Sequence, residues 1–80
     1  MLKKRENAVI IRAKYMQRAG KVMQSFVENG CKSLRVVVAV VQQHYPNLDE
    51  KDIYNVWSYK TMNVPLIEKM ENVLERLKQQ

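Results

Sequence analysis

The chain has 80 residues, a formal net charge of +6, one cysteine, one histidine, two glycines and two prolines. One cysteine excludes an intramolecular disulfide and a cysteine-based metal site, and so short a chain has no volume for an enclosed cofactor pocket. We therefore expect one domain over residues 1–80 and no cofactor. Few glycines and prolines and many helix-forming residues predict an all-α fold, a small bundle of about four helices.

The positive charge lies in the first half of the chain. Residues 1–35 contain nine Lys/Arg and two Glu, and residues 36–80 contain five Lys/Arg and six Asp/Glu. A basic segment favours a polyanionic partner such as nucleic acid, although a solvated helix face has the same composition. The longest uncharged apolar run, 36–41, is too short to span a bilayer, and the chain does not start with an apolar signal core. We expect a cytoplasmic protein with no membrane partner.

Residues from about 3 to 28 predict one long basic helix, ended by Asn29 and Gly30 as a left-handed stop. Gly20 weakens the middle of this helix, so a break near residues 18–21 is the alternative to one continuous helix. The helix is longer than a monomer of this size needs, which favours a homodimer. Its main apolar stripe, interrupted by Glu6, is predicted to be Leu2, Val9, Ala13, Met16, Gly20, Met23 and Val27. Further apolar residues widen the stripe: Ile10, Ile11, Tyr15, Val22 and Phe26.

Residues 33–44 suit either a buried strand or a helix, because 36–41 is rich in β-branched residues. A helix is favoured by Ser33, a good N-cap, and by the absence of a partner strand. Its apolar stripe is predicted to be Leu34, Val37, Val38, Val41 and Tyr45. Val36 and Val40 lie off this stripe and must cover the first helix or a second subunit. Pro46 then ends the helix in a turn.

Residues 47–58 predict a turn followed by a short amphipathic helix. Asp49 is expected at its N-cap, accepting the backbone N–H of Asp52. One side carries Leu48, Ile53, Val56 and Trp57, and the other carries Glu50, Lys51, Tyr54, Asn55 and Ser58. A short helix held between two apolar segments is what a helix-turn-helix presents to DNA. We therefore predict a helix-turn-helix over about residues 33–58.

The last helix is predicted over about residues 64–78, with Asn63 as its N-cap and Pro65 in its first turn. Its apolar side is Ile67, Met70, Val73, Leu74 and Leu77. Its polar face carries Glu68, Glu71 and Glu75, which would repel phosphates, so this supporting helix is expected to face away from DNA. The methionines at positions 16, 23, 62 and 70 are expected to fill the core.

From residue 48 to residue 77 the pattern resembles the DNA-binding headpiece of lactose-repressor-type bacterial regulators. The apolar, capping and recognition-helix positions of that family are occupied by Leu48, Asp49, Ile53, Val56 and Trp57, followed by Ser58. Asn63 occupies the next cap, and Met70, Leu74 and Leu77 follow at the spacing of the family's third helix. The turn at 45–47 is longer than in the family, and the basic first helix has no counterpart there.

The resemblance implies DNA base contacts from Glu50, Lys51, Tyr54 and Asn55. It favours a small stand-alone transcriptional regulator of phage or mobile-element type that binds double-stranded DNA as a homodimer, with no small-molecule effector. Lys donates to guanine O6 and N7, Asn pairs with adenine N6 and N7, and Glu accepts from cytosine N4. DNA phosphate contacts are expected from Lys32, Ser33, Arg35, Ser58, Lys60, Thr61 and Asn63.

Other functions fit parts of the same sequence. Asp49, Glu50 and Asp52 favour a merely solvated face, since carboxylates at a groove weaken DNA binding. The long helix or the acidic last helix would suit a protein-interaction module, either an adaptor or a phage-encoded inhibitor, and the basic helix would suit structured RNA. An enzyme is not expected, because Cys31 and His44 have no acid to orient them and no residues have metal-ligand spacing.

Overall fold

Helix boundaries in this chain follow the capping residues. The computed structural model describes the backbone of residues 2–79 and the side chains of residues 7–79. Four helices follow one another: α1 (Leu2–Glu28), α2 (Leu34–His44), α3 (Glu50–Trp57) and α4 (Val64–Lys78). Residues 2–79 contain no strand. The predicted all-α fold of four helices is confirmed, and the β-branched segment 36–41 is helical.

The N-caps of α2 and α4 are the predicted ones. Ser33 Oγ accepts the backbone N–H of Val36 at 3.3 Å, and Asn63 Oδ1 accepts that of Leu66 at 3.2 Å. Each contact satisfies one of the N–H groups that a first helical turn leaves without an intrahelical partner. Local side-chain chemistry therefore places both helix starts.

Asp49 caps α3, but through a different bond from the predicted one. Its Oδ1 accepts the backbone N–H of Lys51 at 2.9 Å, and the N–H of Asp52 bonds instead to the main-chain oxygen of Asp49 at 3.1 Å. The prediction that the Asp49 side chain accepts the N–H of Asp52 was wrong, because that N–H already donates to a backbone oxygen. The position of the cap and the start of α3 are unchanged.

Gly30 ends α1 as predicted. Its φ is 97°, its N–H donates to Val27 O at 3.1 Å, and the N–H of Cys31 donates to Phe26 O at 2.8 Å. These two bonds form a Schellman motif, in which the residue after the C-cap adopts the left-handed conformation. Glycine suits this position because it has no Cβ to clash.

Tyr59 ends α3 with the same motif but with a tyrosine at the left-handed position. The N–H of Tyr59 donates to Val56 O at 3.1 Å, the N–H of Lys60 donates to Asn55 O at 2.9 Å, and the φ of Tyr59 is 60°. The left-handed conformation costs a residue with a Cβ roughly 1–2 kcal/mol. The half-buried ring of Tyr59, which packs against the core, provides contacts that offset this cost.

The buried face of α1 differs from the predicted stripe. Tyr15, Ala19, Val22 and Phe26 are buried. The predicted stripe is largely outside the core: Val9, Ala13, Met16 and Val27 are exposed, Gly20 and Met23 are half-buried, and the side chain of Leu2 lies outside the described residues. The helices α3 and α4 pack against the face that carries the rings of Tyr15 and Phe26. Burying these rings removes more apolar area from water than burying the valines and alanine of the predicted stripe would.

The other three helices bury the predicted sides. Their buried residues are Val37, Val38, Val41, Ile53, Val56, Leu66, Ile67, Met70, Val73 and Leu74, of which Leu66 was not predicted. Leu34, Tyr45, Leu48, Trp57 and Leu77 pack at the edge of this core. The prediction that all four methionines fill the core was wrong for Met16 and Met62, which are exposed. Of the two valines off the stripe of α2, Val40 packs partly buried against the core, whereas Val36 is 43% exposed and covers no helix of this chain; cover by a second subunit stays a prediction.

The helix α1 passes through Gly20 as one continuous helix, as predicted, without a break at residues 18–21. A Cβ at Gly20 would lie 3.5 Å from the Tyr59 hydroxyl oxygen, an ordinary contact distance. The tyrosine that ends α3 therefore lies against the middle of α1. Packing against the rest of the fold compensates for the low helix propensity of glycine at this position.

Tyr15 connects α1 to the segment between α3 and α4. Its hydroxyl donates to the main-chain oxygen of Thr61 at 3.1 Å and accepts the main-chain N–H of Asn63 at 3.2 Å. Tyr15 is 5% exposed, so these bonds are largely shielded from water. They hold the start of α4 next to α1.

The first half of α1 extends beyond the other helices. Every side chain from residue 7 to residue 14 is exposed, and the molecule measures 48 × 23 × 18 Å along its principal axes. The core therefore uses only the second half of α1.

Replacing Gly20 by alanine should stabilise the fold by about 0.5–1 kcal/mol, because alanine favours the helix and its Cβ meets only ordinary contacts. Gly30→Ala is the matched control and should destabilise by about 1–2 kcal/mol, because its φ is left-handed. Urea unfolding followed by circular dichroism measures both changes. Destabilisation by Gly20→Ala would contradict the packing described for Tyr59.

Tyr15→Phe should lower the free energy of unfolding by about 1–3 kcal/mol, because Thr61 O and the Asn63 N–H lose their shared partner. Tyr54→Phe removes an exposed hydroxyl and should change stability by less than about 0.5 kcal/mol. Thermal and urea unfolding of both variants gives the comparison. Equal stability of the two variants would show that the Tyr15 bonds contribute nothing.

Candidate nucleic-acid interface

The polar face of α3 points away from the core. Glu50, Lys51 and Tyr54 are exposed and Asn55 is half-buried. Positions four residues apart lie one above the other on a helix, so Lys51 and Asn55 lie on one face, as do Glu50 and Tyr54. The four residues predicted for base contacts thus form one continuous surface along α3.

The opposite face of α3 packs against the core. Ile53 and Val56 have no exposed area, and the ring of Trp57 lies 6.5 Å from that of Phe26, tilted by 56°. This distance is in the range of favourable aromatic pairs. The core therefore holds α3 in a single orientation, with its polar face outward.

The connection between α2 and α3 is fixed by hydrogen bonds. Gln42 Nε2 donates to Leu48 O at 3.1 Å, and the N–H of Leu48 donates to Tyr45 O at 3.1 Å. The end of α2 therefore lies beside the start of α3. The role of Gln42 was missed, since no helical periodicity distinguishes it from the equally polar Gln43.

The first set of predicted phosphate contacts lies at the start of α2. Lys32, Ser33 and Arg35 are exposed there, although Ser33 Oγ already caps the helix. The backbone N–H of Cys31 donates to Phe26 O, and the ring of Phe26 packs against that of Trp57, the last residue of α3. Lys32, Ser33 and Arg35, which follow Cys31, therefore lie at the end of the molecule where α3 ends.

The second set follows α3 directly. Ser58, Lys60 and Thr61 are exposed, and Asn63 is half-buried with its Oδ1 engaged as the cap of α4. Ser58 Oγ donates to Tyr54 O at 2.9 Å, so this hydroxyl is partly committed to the end of α3. Residues 58–63 run along α1, from the level of Phe26 to the level of Tyr15. Phe26 and Tyr15 are about 16 Å apart along the axis of α1 at the usual rise per residue.

Charge is distributed unevenly along α3. Asp49, Glu50 and Asp52 are exposed around its start, with Lys51 among them. The exposed cations Lys32, Arg35 and Lys60 lie towards its end. The contact of Phe26 with Trp57 places Lys32 and Arg35 there, and the hydrogen bond from the Lys60 N–H to Asn55 O places Lys60. An approaching polyanion is therefore attracted to the end of α3 and repelled from its start.

Arg18 is engaged with α4. Its Nε and Nη2 donate to the two carboxylate oxygens of Glu71 at 2.9 Å and 2.6 Å. These hydrogen bonds raise the pKa of the Arg18 guanidinium. The pair leaves Arg18 less available to a phosphate than Arg12, Lys14 and Lys21, which are exposed on the same helix.

Cys31 and His44 lie at opposite ends of α2, Cys31 before its first residue and His44 as its last. The His44 Nδ1 lies 3.0 Å from Val40 O, at the last turn of α2. Cys31 is 5% exposed, and burial raises the pKa of its thiol. Within residues 7–79, no three His, Cys, Asp or Glu side chains are grouped as metal ligands.

The Cys31 thiol should react with an aromatic disulfide reagent at least about tenfold more slowly in the folded chain than in 6 M guanidinium. The thiolate is the reacting species, and in the folded chain burial both raises the pKa of the thiol and keeps the reagent away from the sulfur. Absorbance of the released thiolate at pH 8 follows the reaction. Equal rates in the two conditions would contradict the burial of Cys31.

The chain matches no known family model, no curated protein and no solved structure. No helix in residues 2–79 has both the length and the apolar character needed to cross a membrane. The function proposed for this surface therefore depends on its geometry and charge.

Proposed function

We propose that the chain binds duplex DNA by placing the outer face of α3 in the major groove, as a transcriptional regulator. The supporting observation is the pairing of two faces on α3: Ile53 and Val56 are fully buried, while Lys51, Tyr54 and Asn55 point outward. A short helix held rigidly from behind is what a helix-turn-helix inserts into DNA. In this proposal α2, residues 45–49 and α3 form that motif.

The side chains on the outer face of α3 can distinguish bases. Lys51 would donate to guanine, Asn55 would make a paired contact with adenine, and Tyr54 would contact a thymine methyl group or a phosphate. Glu50 would accept from the cytosine amino group, and its carboxylate also suits the first turn of a helix. Each of these contacts requires the helix axis to lie close to the base edges.

Two sets of residues, exposed except for the half-buried Asn63, would bind the DNA backbone. The first comprises Lys32, Ser33 and Arg35 at the start of α2, and the second comprises Ser58, Lys60, Thr61 and Asn63 after α3. Phosphate contacts fix the register of a protein on DNA without specifying sequence. The first set and the start of the second set lie towards the end of α3, so the C-terminal half of α3 would lie nearest the DNA backbone.

The carboxylates at the start of α3 oppose binding to phosphates. Asp49 is partly committed, since its Oδ1 accepts the N–H of Lys51. The proposal requires the start of α3 to face the base edges at the centre of the groove, where Glu50 has a possible donor in cytosine, rather than the phosphates at its sides. Sites with cytosine opposite Glu50 should therefore be selected.

We expect Lys51→Ala and Asn55→Ala each to weaken binding to a selected DNA site by about 1–3 kcal/mol and to relax specificity at one base pair. Lys60→Ala should weaken binding to all sequences and reduce the salt slope by about one. The measurement is selection from a random duplex pool, followed by titrations between about 50 and 200 mM salt.

Lys78→Ala is the matched control, because Lys78 is an exposed lysine of α4 that belongs neither to the outer face of α3 nor to either phosphate-contacting set. It should change neither affinity nor specificity. Unchanged binding by both Lys51→Ala and Asn55→Ala would remove α3 as the recognition helix. Absence of any binding at low salt would favour the protein-interaction function instead.

A further inference from the structure

A groove lies between the middle of α1 and the start of α4. Its walls come from one face of α1, at the spacing i, i+3, i+4 and i+7, and from the segment that lies opposite. The lining residues, which we call the α1 groove, are Ile11, Lys14, Tyr15, Arg18, Met62 and Val64. Ile11, Met62 and Val64 are between 38% and 56% exposed. The groove therefore offers apolar surface to a ligand.

The hydrogen bonds of Tyr15 hold the groove in shape. Its hydroxyl donates to Thr61 O at 3.1 Å and accepts the N–H of Asn63 at 3.2 Å, so Met62 lies between two bonded residues. Val64 follows as the first residue of α4, whose N-cap is Asn63. A ligand would meet walls that are already formed, which lowers the entropic cost of binding.

The charge around the groove is positive at one end. Residues 7–27 contain four Lys/Arg and no Asp or Glu. Arg18, at one end of the groove, is already paired with Glu71, and the carboxylate of Glu68 also acts on its charge. Lys14 is exposed and takes part in no ion pair among the described side chains. The end of the groove at Lys14 therefore attracts a negatively charged group.

Three kinds of occupant fit this combination less well than an acidic peptide does. Nucleic acid would place phosphates against Ile11, Met62 and Val64, which have no group that binds a phosphate. A second copy on a twofold axis would bring the cations of two α1 helices together. A membrane binds a helix through a wide apolar face, whereas these apolar side chains line a concave groove.

We propose that the α1 groove binds an acidic segment of a partner protein. One large apolar side chain of that segment lies between Ile11, Met62 and Val64, and a carboxylate lies beside Lys14. The groove has a volume of about 220 Å³, and a cavity of about 150 Å³ already holds benzene, so one aromatic or aliphatic side chain fits. An apolar anchor in a pocket with a polar rim is the common arrangement of an interaction hot spot.

The size of the groove sets the expected strength. A single anchor covers far less surface than a standard interface of about 20–30 residues on each side, so the dissociation constant should be in the micromolar range. The groove contains no residue of α3. The inference therefore does not depend on the proposed DNA binding and can be measured without DNA.

Selection of a displayed library of random peptides of about 12 residues against the full wild-type chain tests the proposal. Enriched peptides should carry a net negative charge and at least one large apolar residue. A fluorescein-labelled copy of an enriched peptide should bind the wild type in a fluorescence-polarisation titration. Its affinity should fall as salt rises from about 50 to 200 mM, because exposed ion pairs are screened.

Met62→Glu should weaken binding of this peptide by at least about tenfold, because it places a carboxylate on the apolar wall against an acidic ligand. Val27→Glu is the matched control, since Val27 is 45% exposed, close to the 46% of Met62, and lies on α1 outside the groove. It should weaken binding by less than about twofold. Circular dichroism should show both variants folded, because both side chains are exposed.

Lys14→Glu should weaken binding by at least about threefold, because an attraction becomes a repulsion. Lys78→Glu, at the opposite end of α4 from Val64, should weaken it by less than about twofold. A copy of the peptide with lysine in place of its acidic residues should prefer Lys14→Glu to the wild type. This reversal would show that Lys14 acts through its charge rather than through the fold.

Absence of enrichment, enrichment of neutral or basic peptides, or equal binding by the wild type and Met62→Glu would overturn the proposal. Without peptide binding, a wild-type dimer that Met62→Glu dissociates in sedimentation equilibrium would assign the groove to a second copy. Binding to phosphatidylserine-containing vesicles that Met62→Glu abolishes would likewise assign it to lipid. A chain that binds the acidic peptide and no DNA would support this inference and remove the proposed function.

Discussion

The helix α3 is too short to be stable by itself, and this constraint governs the arrangement of the molecule. Isolated helices below about 12–15 residues are marginal in water, and α3 spans only Glu50–Trp57. Its helical form depends on the burial of Ile53 and Val56 and on caps at both ends, supplied by Asp49 and Tyr59. Because the inward face is wholly used by the core, the outward face is available for a partner.

The second half of α1 provides most of the support that α3 needs. Phe26 packs against the ring of Trp57, Gly20 leaves room for Tyr59, and Tyr15 holds the segment that leads into α4. The first half of α1 performs no such role, since its side chains are exposed from residue 7 to residue 14. One continuous helix thus combines a segment that supports the core with a segment, residues 7–14, whose side chains are exposed.

Local chemistry made the helix boundaries predictable, whereas packing decided the rest. Ser33, Asn63 and Gly30 act on backbone groups within a few residues, so sequence alone identifies them. The buried face of α1 could not be identified this way, because two apolar stripes compete and the positions of α3 and α4 decide between them. The polar face of α3 follows from its periodicity, but the position of its flanking cations required the contact of Phe26 with Trp57. A tyrosine at a left-handed position has no sequence signal.

The central claim is that α3 contacts DNA through its outer face. The most direct measurement is an NMR titration of the isotope-labelled chain with a duplex taken from the selected pool, following each backbone and side-chain amide. The largest shifts are expected at Lys51, Tyr54 and Asn55, with smaller ones at 32–35 and 58–61. Shifts confined to the first half of α1, or to the acidic face of α4, would contradict it.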